Sequence, residues 1–137
     1  MVTRPVYSII APVYNEEGNI DMLFQRVSEV MNTLEEPWEL VLVNDGSHDQ
    51  SLQLMRDLQA REPQVRVINF SRNFGHQIAV TAGLDYADGQ AVILIDADLQ
   101  DPPEVIPEMI QEWKQGNDVV YAIRETREGE SWFKLQT

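Results

Sequence analysis

The stretch Ala91-Val92-Ile93-Leu94-Ile95-Asp96-Ala97-Asp98-Leu99-Gln100-Asp101-Pro102 begins as an unbroken apolar run and ends in alternating carboxylates. Such a run reads as a strand covered on both faces, the pattern of a parallel sheet flanked by helices. In open sheets of that kind the ligand crevice lies outside the carboxyl ends of the strands. Asp96 and Asp98 would therefore stand in that crevice. Two hard oxygen ligands on a short loop suit Mg²⁺ or Mn²⁺, which take one or two carboxylates and complete their shell with phosphate oxygens and water. A plainer alternative stays open, in which both aspartates only form a turn and cap the next helix.

Working outward, the same alternation of strand and helix covers the chain. Val6-Tyr7-Ser8-Ile9-Ile10-Ala11 is an apolar run closed by Pro12, and from Ile20 the residues Leu23, Phe24, Val27, Val30, Met31 and Leu34 follow the three/four spacing of a helical face. Pro37 ends that helix, and Trp38-Glu39-Leu40-Val41-Leu42-Val43 gives a second strand. Ser47 or Asp49 can cap a helix carrying Leu52, Met55 and Leu58. Val65-Arg66-Val67-Ile68-Asn69-Phe70 is the third strand, a helix surrounds Ile78, Ala82 and Tyr86, and the quoted run is the fourth strand. Pro102 and Pro103 open another helix, Gly116 closes it, and Asp118-Val119-Val120-Tyr121-Ala122 gives a fifth strand. The expected fold is α/β, with a mostly parallel central sheet and right-handed crossovers.

Composition narrows the partners. With 137 residues and 43% hydrophobic content, one domain with one ordinary core is expected. Ten Lys plus Arg against 23 Asp plus Glu give a net charge of −13, which argues against nucleic acid as a partner. The absence of cysteine excludes thiolate metal sites and cysteine nucleophiles. No apolar run approaches a signal sequence or a membrane span, so the chain as given is expected to be soluble.

Three further strand ends carry polar residues. Pro12-Val13-Tyr14-Asn15-Glu16-Glu17-Gly18 offers a tyrosine that can stack on a nucleobase. In Asn44-Asp45-Gly46-Ser47 the carboxylate can accept a hydrogen bond from a base N–H. Ser71-Arg72-Asn73-Phe74-Gly75-His76-Gln77 brings a guanidinium able to fork onto phosphate or ribose oxygens, and Gly75 permits close backbone approach beside a helix start. His76 can touch diphosphate or simply cap and pack, and His48 sits in a polar turn with no assigned chemistry. Each motif alone is compatible with an ordinary turn, but their convergence on one sheet edge points to a nucleotide site.

Taken together, these four segments resemble the inverting family 2 glycosyltransferases of GT-A fold, above all the polyprenyl-phosphate (bactoprenol) glucosyltransferases and the dolichol-phosphate mannose synthases. The likeness runs in order through nearly the whole chain. It implies that Pro12, Tyr14, Glu16 and Asp45 surround the nucleoside, that Asp96 and Ala97 lie near ribose and metal, and that Arg72, Gly75 and His76 line the sugar-nucleotide side. Asp96 and Asp98 would be the catalytic pair, and Asp96, Asp98 and Gln100 would hold Mg²⁺ or Mn²⁺. The implied reaction moves a hexose, glucose from UDP-glucose foremost, to a membrane polyprenyl phosphate. Arg124, Arg127 and Lys134 match the basic segment that approaches the acceptor phosphate and membrane surface, with Trp132 and Phe133 as its apolar side.

The expected division is therefore 1–123 as the nucleotide-sugar-binding part and 124–137 as the start of an amphipathic, membrane-interfacial segment that ends in a helix. The family usually continues with acceptor-site residues and transmembrane helices, so the chain is expected to be a fragment of a membrane protein whose catalytic domain faces the cytoplasm. Homo-oligomers are compatible with the resemblance. Three competitors fit less well. A Mg²⁺-dependent receiver domain wants acidic residues after the first strand and a lysine after the fifth, where this chain has Pro12-Val13-Tyr14 and Ile123-Arg124. A nucleotidyltransferase wants a basic glycine-rich loop and a dinucleotide oxidoreductase wants G-x-G-x-x-G, whereas Asn15-Glu16-Glu17-Gly18 is acidic. A nucleotide-binding module without catalysis is separated from an enzyme only by turnover.

Overall fold

The computed structural model describes residues 4–100, 102–116, 119–124 and 131–136, the last two segments as backbone strands. Four strands form a parallel sheet: β1 (Tyr7–Val13), β2 (Trp38–Asn44), β3 (Val65–Asn69) and β4 (Ala91–Leu94). Their order is β3-β2-β1-β4. Tyr7 stands opposite both Trp38 and Ala91, and Asn44 opposite Asn69, so the carboxyl ends of the strands finish on one edge. The chain steps outward from β1 to β3 and then returns to place β4 on the other side of β1, which makes β1 the strand where the order reverses.

The helices follow from this path. α1 (Ile20–Met31) buries Ile20, Leu23, Val27 and Met31, the stripe its spacing predicts, and a 3₁₀ turn at Asn32–Leu34 closes it. α2 (Ser51–Arg61) buries Met55 and Leu58. After a 3₁₀ turn at Pro103–Val105, α4 (Ile106–Lys114) buries Ile106 and Ile110. These three pack with Tyr7, Ile9, Ala11, Leu40, Leu42 and Ile93 in the larger core. α3 (His76–Tyr86) covers the opposite face, where Ile10, Val41, Val43 and Ala79 form a smaller core. Its approach to β1 is close: a Cβ on Gly83 would lie 2.4 Å from Ile10 Cγ2.

Polar residues are buried at the amino end of the sheet. Ser8 Oγ donates to Glu39 Oε2 at 2.5 Å and accepts from the Gly89 N–H at 2.8 Å, while Glu39 also accepts from the Asp88 N–H and from Arg66 Nη1, each at 2.8 Å. The Glu39 carboxyl is held below the ordinary glutamate range. Burial alone would raise it, and the bonds from Asp88, Ser8 and Arg66 together outweigh burial.

Three expectations are corrected. β4 is not covered on both faces: Val92 and Leu94 are 40% and 45% exposed, because β4 is the sheet's edge among the described residues and α3 lies over β1 and β2 instead. The fifth strand, β5 (Val119–Arg124), does not join the parallel sheet but pairs antiparallel with β6 (Ser131–Gln136). The segment expected to be helical at its end is thus a strand. A six-residue window has too little period to separate the two, and the ladder to β5 decides it. Among the described residues no helix is long and apolar enough to cross a membrane.

Candidate functional site at the carboxyl edge of the sheet

The loops that leave β1 and β2 are laced together at their bases. The Asn15 N–H donates to Ser47 Oγ at 2.9 Å, and the His48 N–H returns the contact to Asn15 Oδ1 at 2.8 Å. One step further on, the Glu16 N–H donates to Ser51 Oγ at 2.8 Å, the Glu17 N–H to Asp49 Oδ2 at 3.2 Å, and the Gln50 N–H to Glu17 Oε2 at 2.9 Å. Asn15 takes a left-handed backbone, φ 53°, to make its turn. Ser47 therefore serves the neighbouring loop rather than capping α2, whereas Asp49 does accept the Ser51 N–H at 2.8 Å. The Asp49 carboxyl is held low: slight burial works upward, and the Ser51 hydroxyl with the Ser51 and Glu17 amides pulls it further down.

On this base stand the residues expected around a nucleoside. Tyr14 is 45% exposed, with its ring near-perpendicular to that of His48 at 6.4 Å. His48, given no role from sequence, is that ring's neighbour. The Glu16 carboxylate accepts from Asn19 Nδ2 at 2.7 Å, and Pro12 is half-buried within β1.

Asp45 is only 4% exposed. Its Oδ1 accepts the Phe74 N–H at 2.7 Å, and Oδ2 accepts the Gly75 N–H and Asn73 Nδ2, both at 3.2 Å. The Asp45 carbonyl also accepts from Asn73 Nδ2 at 3.0 Å. The next residue, Gly46, has φ +76°, and a Cβ there would meet Asn73 N at 2.3 Å. The turn that follows β3 thus lies directly on the end of β2. It carries the Arg72 guanidinium 4.5 Å over the Phe74 ring, which packs edge-on against Phe70 at 5.5 Å. Among the described residues Arg72 forms no salt bridge. Gly75 precedes α3 at φ +105°, and His76 opens the helix, exposed.

At the end of β4, Asp96 and Asp98 are half-buried and flank the buried Ala97. Leu99 takes a left-handed backbone, φ 64°, and the Gln100 N–H donates to Asp98 Oδ1 at 3.1 Å. The donor set is two carboxylates and an amide on one tight turn, hard oxygens of the kind a diphosphate-bound Mg²⁺ or Mn²⁺ takes. Among the described residues no group of three His, Cys, Asp or Glu side chains could enclose an ion unaided. Arg124 and Lys134 lie on β5 and β6, and Arg127 lies outside the described residues.

The family model described as "Glycosyl transferase family 2" matches residues 8–137. An uncharacterized glycosyltransferase of Bacillus subtilis, YkcC, is 58% identical over 131 residues, 96% of this chain and 41% of that protein. The bactoprenol glucosyl transferase of Shigella phage SfV is 42% identical over 130 residues, 95% of this chain and 42% of that protein. The chain therefore spans about two fifths of the length of both relatives. Among solved structures, the Pyrobaculum calidifontis mannosyltransferase PcManGT, in complex with GDP-Man and Mn²⁺, superposes with a TM-score of 0.71 at 23% identity, over 93% of this chain and 38% of that one. At that identity the likeness bears on the fold, and it is the fold derived above.

Proposed function

Because the chain belongs to glycosyl transferase family 2, we propose that residues 1–123 form the donor half of an enzyme that moves a hexose from a nucleotide sugar, UDP-glucose foremost, to a polyprenyl phosphate at a membrane. The observation that carries this reading is the gathering of the β1, β2 and β4 ends, with the turn after β3, on one edge of a parallel sheet. The lipid acceptor is supported by the likeness to the phage bactoprenol glucosyl transferase.

In this proposal Pro12, Tyr14 and Glu16 flank the nucleoside, with Asp45 at its floor, and Tyr14 offers its exposed face to the base. Arg72, Gly75 and His76 line the sugar-nucleotide side. Asp96, Asp98 and Gln100 would hold Mg²⁺ or Mn²⁺, with Asp96 and Ala97 beside the ribose. A bound divalent ion supplies Lewis-acid stabilisation of the departing nucleoside diphosphate. The side chains do the rest by orientation, presenting the anomeric carbon so that the acceptor phosphate attacks from the face opposite the leaving group and inverts its configuration. An ionised phosphate is already a nucleophile, so no strong base is required of the residues described. Arg124, Arg127 and Lys134, in the segment 124–137, would meet the acceptor phosphate at the membrane surface.

The test is calorimetric titration of the chain with UDP, UDP-glucose and GDP-mannose, with and without Mn²⁺. Mn²⁺-dependent UDP binding is expected, weakened at least about tenfold in Asp98→Ala. A folded chain that binds none of the three in Mn²⁺ would overturn the donor-site reading.

A further inference from the structure

We propose that Asp45 is a positioning residue: its carboxylate latches the turn 73–75 onto the end of β2 and thereby sets Arg72 in place for the donor phosphates. The proposal rests on the donor-site reading above for the identity of the ligand, and on the structure alone for the latch.

An ionised carboxylate offers about four lone-pair positions. Asp45 directs them at two backbone amides and one side-chain amide of a single turn, 28 to 30 residues further along the chain, and the Gly75 N–H lies near both oxygens, at 3.3 and 3.2 Å. These are charge-assisted bonds in a site 4% exposed, where water competes least. Three donors of the chain itself thus take most of the carboxylate, and about one lone-pair position stays open to a base N–H. What it secures is a relay: the Phe74 N–H is bound to Asp45, the Phe74 ring is braced on Phe70, and the Arg72 guanidinium lies over that ring. Gly46 completes the seat, since its missing side chain lets the turn's backbone rest on β2. Elsewhere the turn's main chain is tied to β2 at its base by the Phe70 N–H to the Asn44 carbonyl, 3.0 Å. With the latch removed, Arg72 keeps its charge and loses its fixed position.

Two measurements test this. Without nucleotide, amide exchange is followed by NMR in the parent chain, Asp45→Asn and Asn73→Ala, with the β1 and β2 amides reporting that each variant is folded. The Phe74 and Gly75 amides should exchange about tenfold faster or more in Asp45→Asn, less so in Asn73→Ala, with the sheet amides unchanged. Wild-type exchange at those two amides in folded variants overturns the latch, whatever binds. With Mn²⁺ present, the affinities for UDP and uridine are then compared. Asp45→Asn should lower the preference for UDP over uridine about tenfold. Arg72→Ala should do the same, and the double variant should lose no more than either alone. An unchanged UDP-over-uridine preference in Asp45→Asn, or additive losses in the double variant, would mean that Asp45 does not hold Arg72 in place and would overturn the proposal. A parent chain that binds no nucleotide removes the donor-site reading and the Arg72 step together, while the exchange result still decides the latch.

Discussion

One methyl group at Gly46 would lie 2.3 Å from Asn73 N and 2.4 Å from the Arg72 carbonyl carbon, at a residue already at φ +76°. Both partners are backbone, so neither can swing aside. Gly46→Ala should therefore cost about 1–3 kcal/mol in urea unfolding and loosen the turn 73–75 with Asp45 intact. At the opposite edge, Glu39→Gln should cost about 2 kcal/mol at pH 7, because its amide nitrogen must face either Arg66 or the Asp88 N–H, donor against donor, and the charge that strengthens both bonds is lost. The folded Glu39 carboxyl binds its proton less readily than the unfolded one, whose ordinary value is 4.5. Its contribution is thus complete above 4.5 and fades as pH falls through the lower folded value. Thermal melts from pH 7 to 3 should show the wild-type advantage over Glu39→Gln shrinking below pH 4.5; an advantage constant with pH would refute the assignment. Sequence exposed Asp45 as a polar strand end, but two of its three partners are the Phe74 and Gly75 backbone amides, which carry no residue-type signature, so its latch was not legible.

Close packing of α3 on β1 is a matter of the whole element, since Gly83 is the contact and Ile10 the surface it meets. Gly83→Ala gains about 1 kcal/mol of helix propensity but forces Ile10 or the helix to move, an overpacking cost of about 1–3 kcal/mol. The net expectation is a melting temperature lowered by a few degrees; a raised one would mean that α3 sits loosely. The helices α1 and α4 were legible because their apolar spacing is local, and β1 and β2 because both faces are covered. β4 looked the same in sequence, yet Val92 and Leu94 are half exposed. An apolar run states what a strand prefers and not which neighbour covers it. β6 was misread for the related reason that its pairing partner, β5, fixes its conformation.

For the whole molecule, a charge of −13 sets a repulsive field against any nucleotide. Without metal, the association rate for UDP should rise several-fold as salt goes from about 10 to 150 mM, because the screening length shortens from about 30 to 8 Å. A falling rate would show that the Arg72 region dominates the approach. The parallel sheet was foreseeable because the alternation of strands and helices is written locally, while the cross-links between loops were not. Those links matter beyond this chain. The loops after β1 and β2 exchange side-chain and backbone bonds in both directions, through Asn15 with Ser47 and His48, and through Glu17 with Asp49 and Gln50. A chimera that imports one loop from a relative with another donor would strand half of each reciprocal pair, so the two loops are the smallest cassette that can be transplanted.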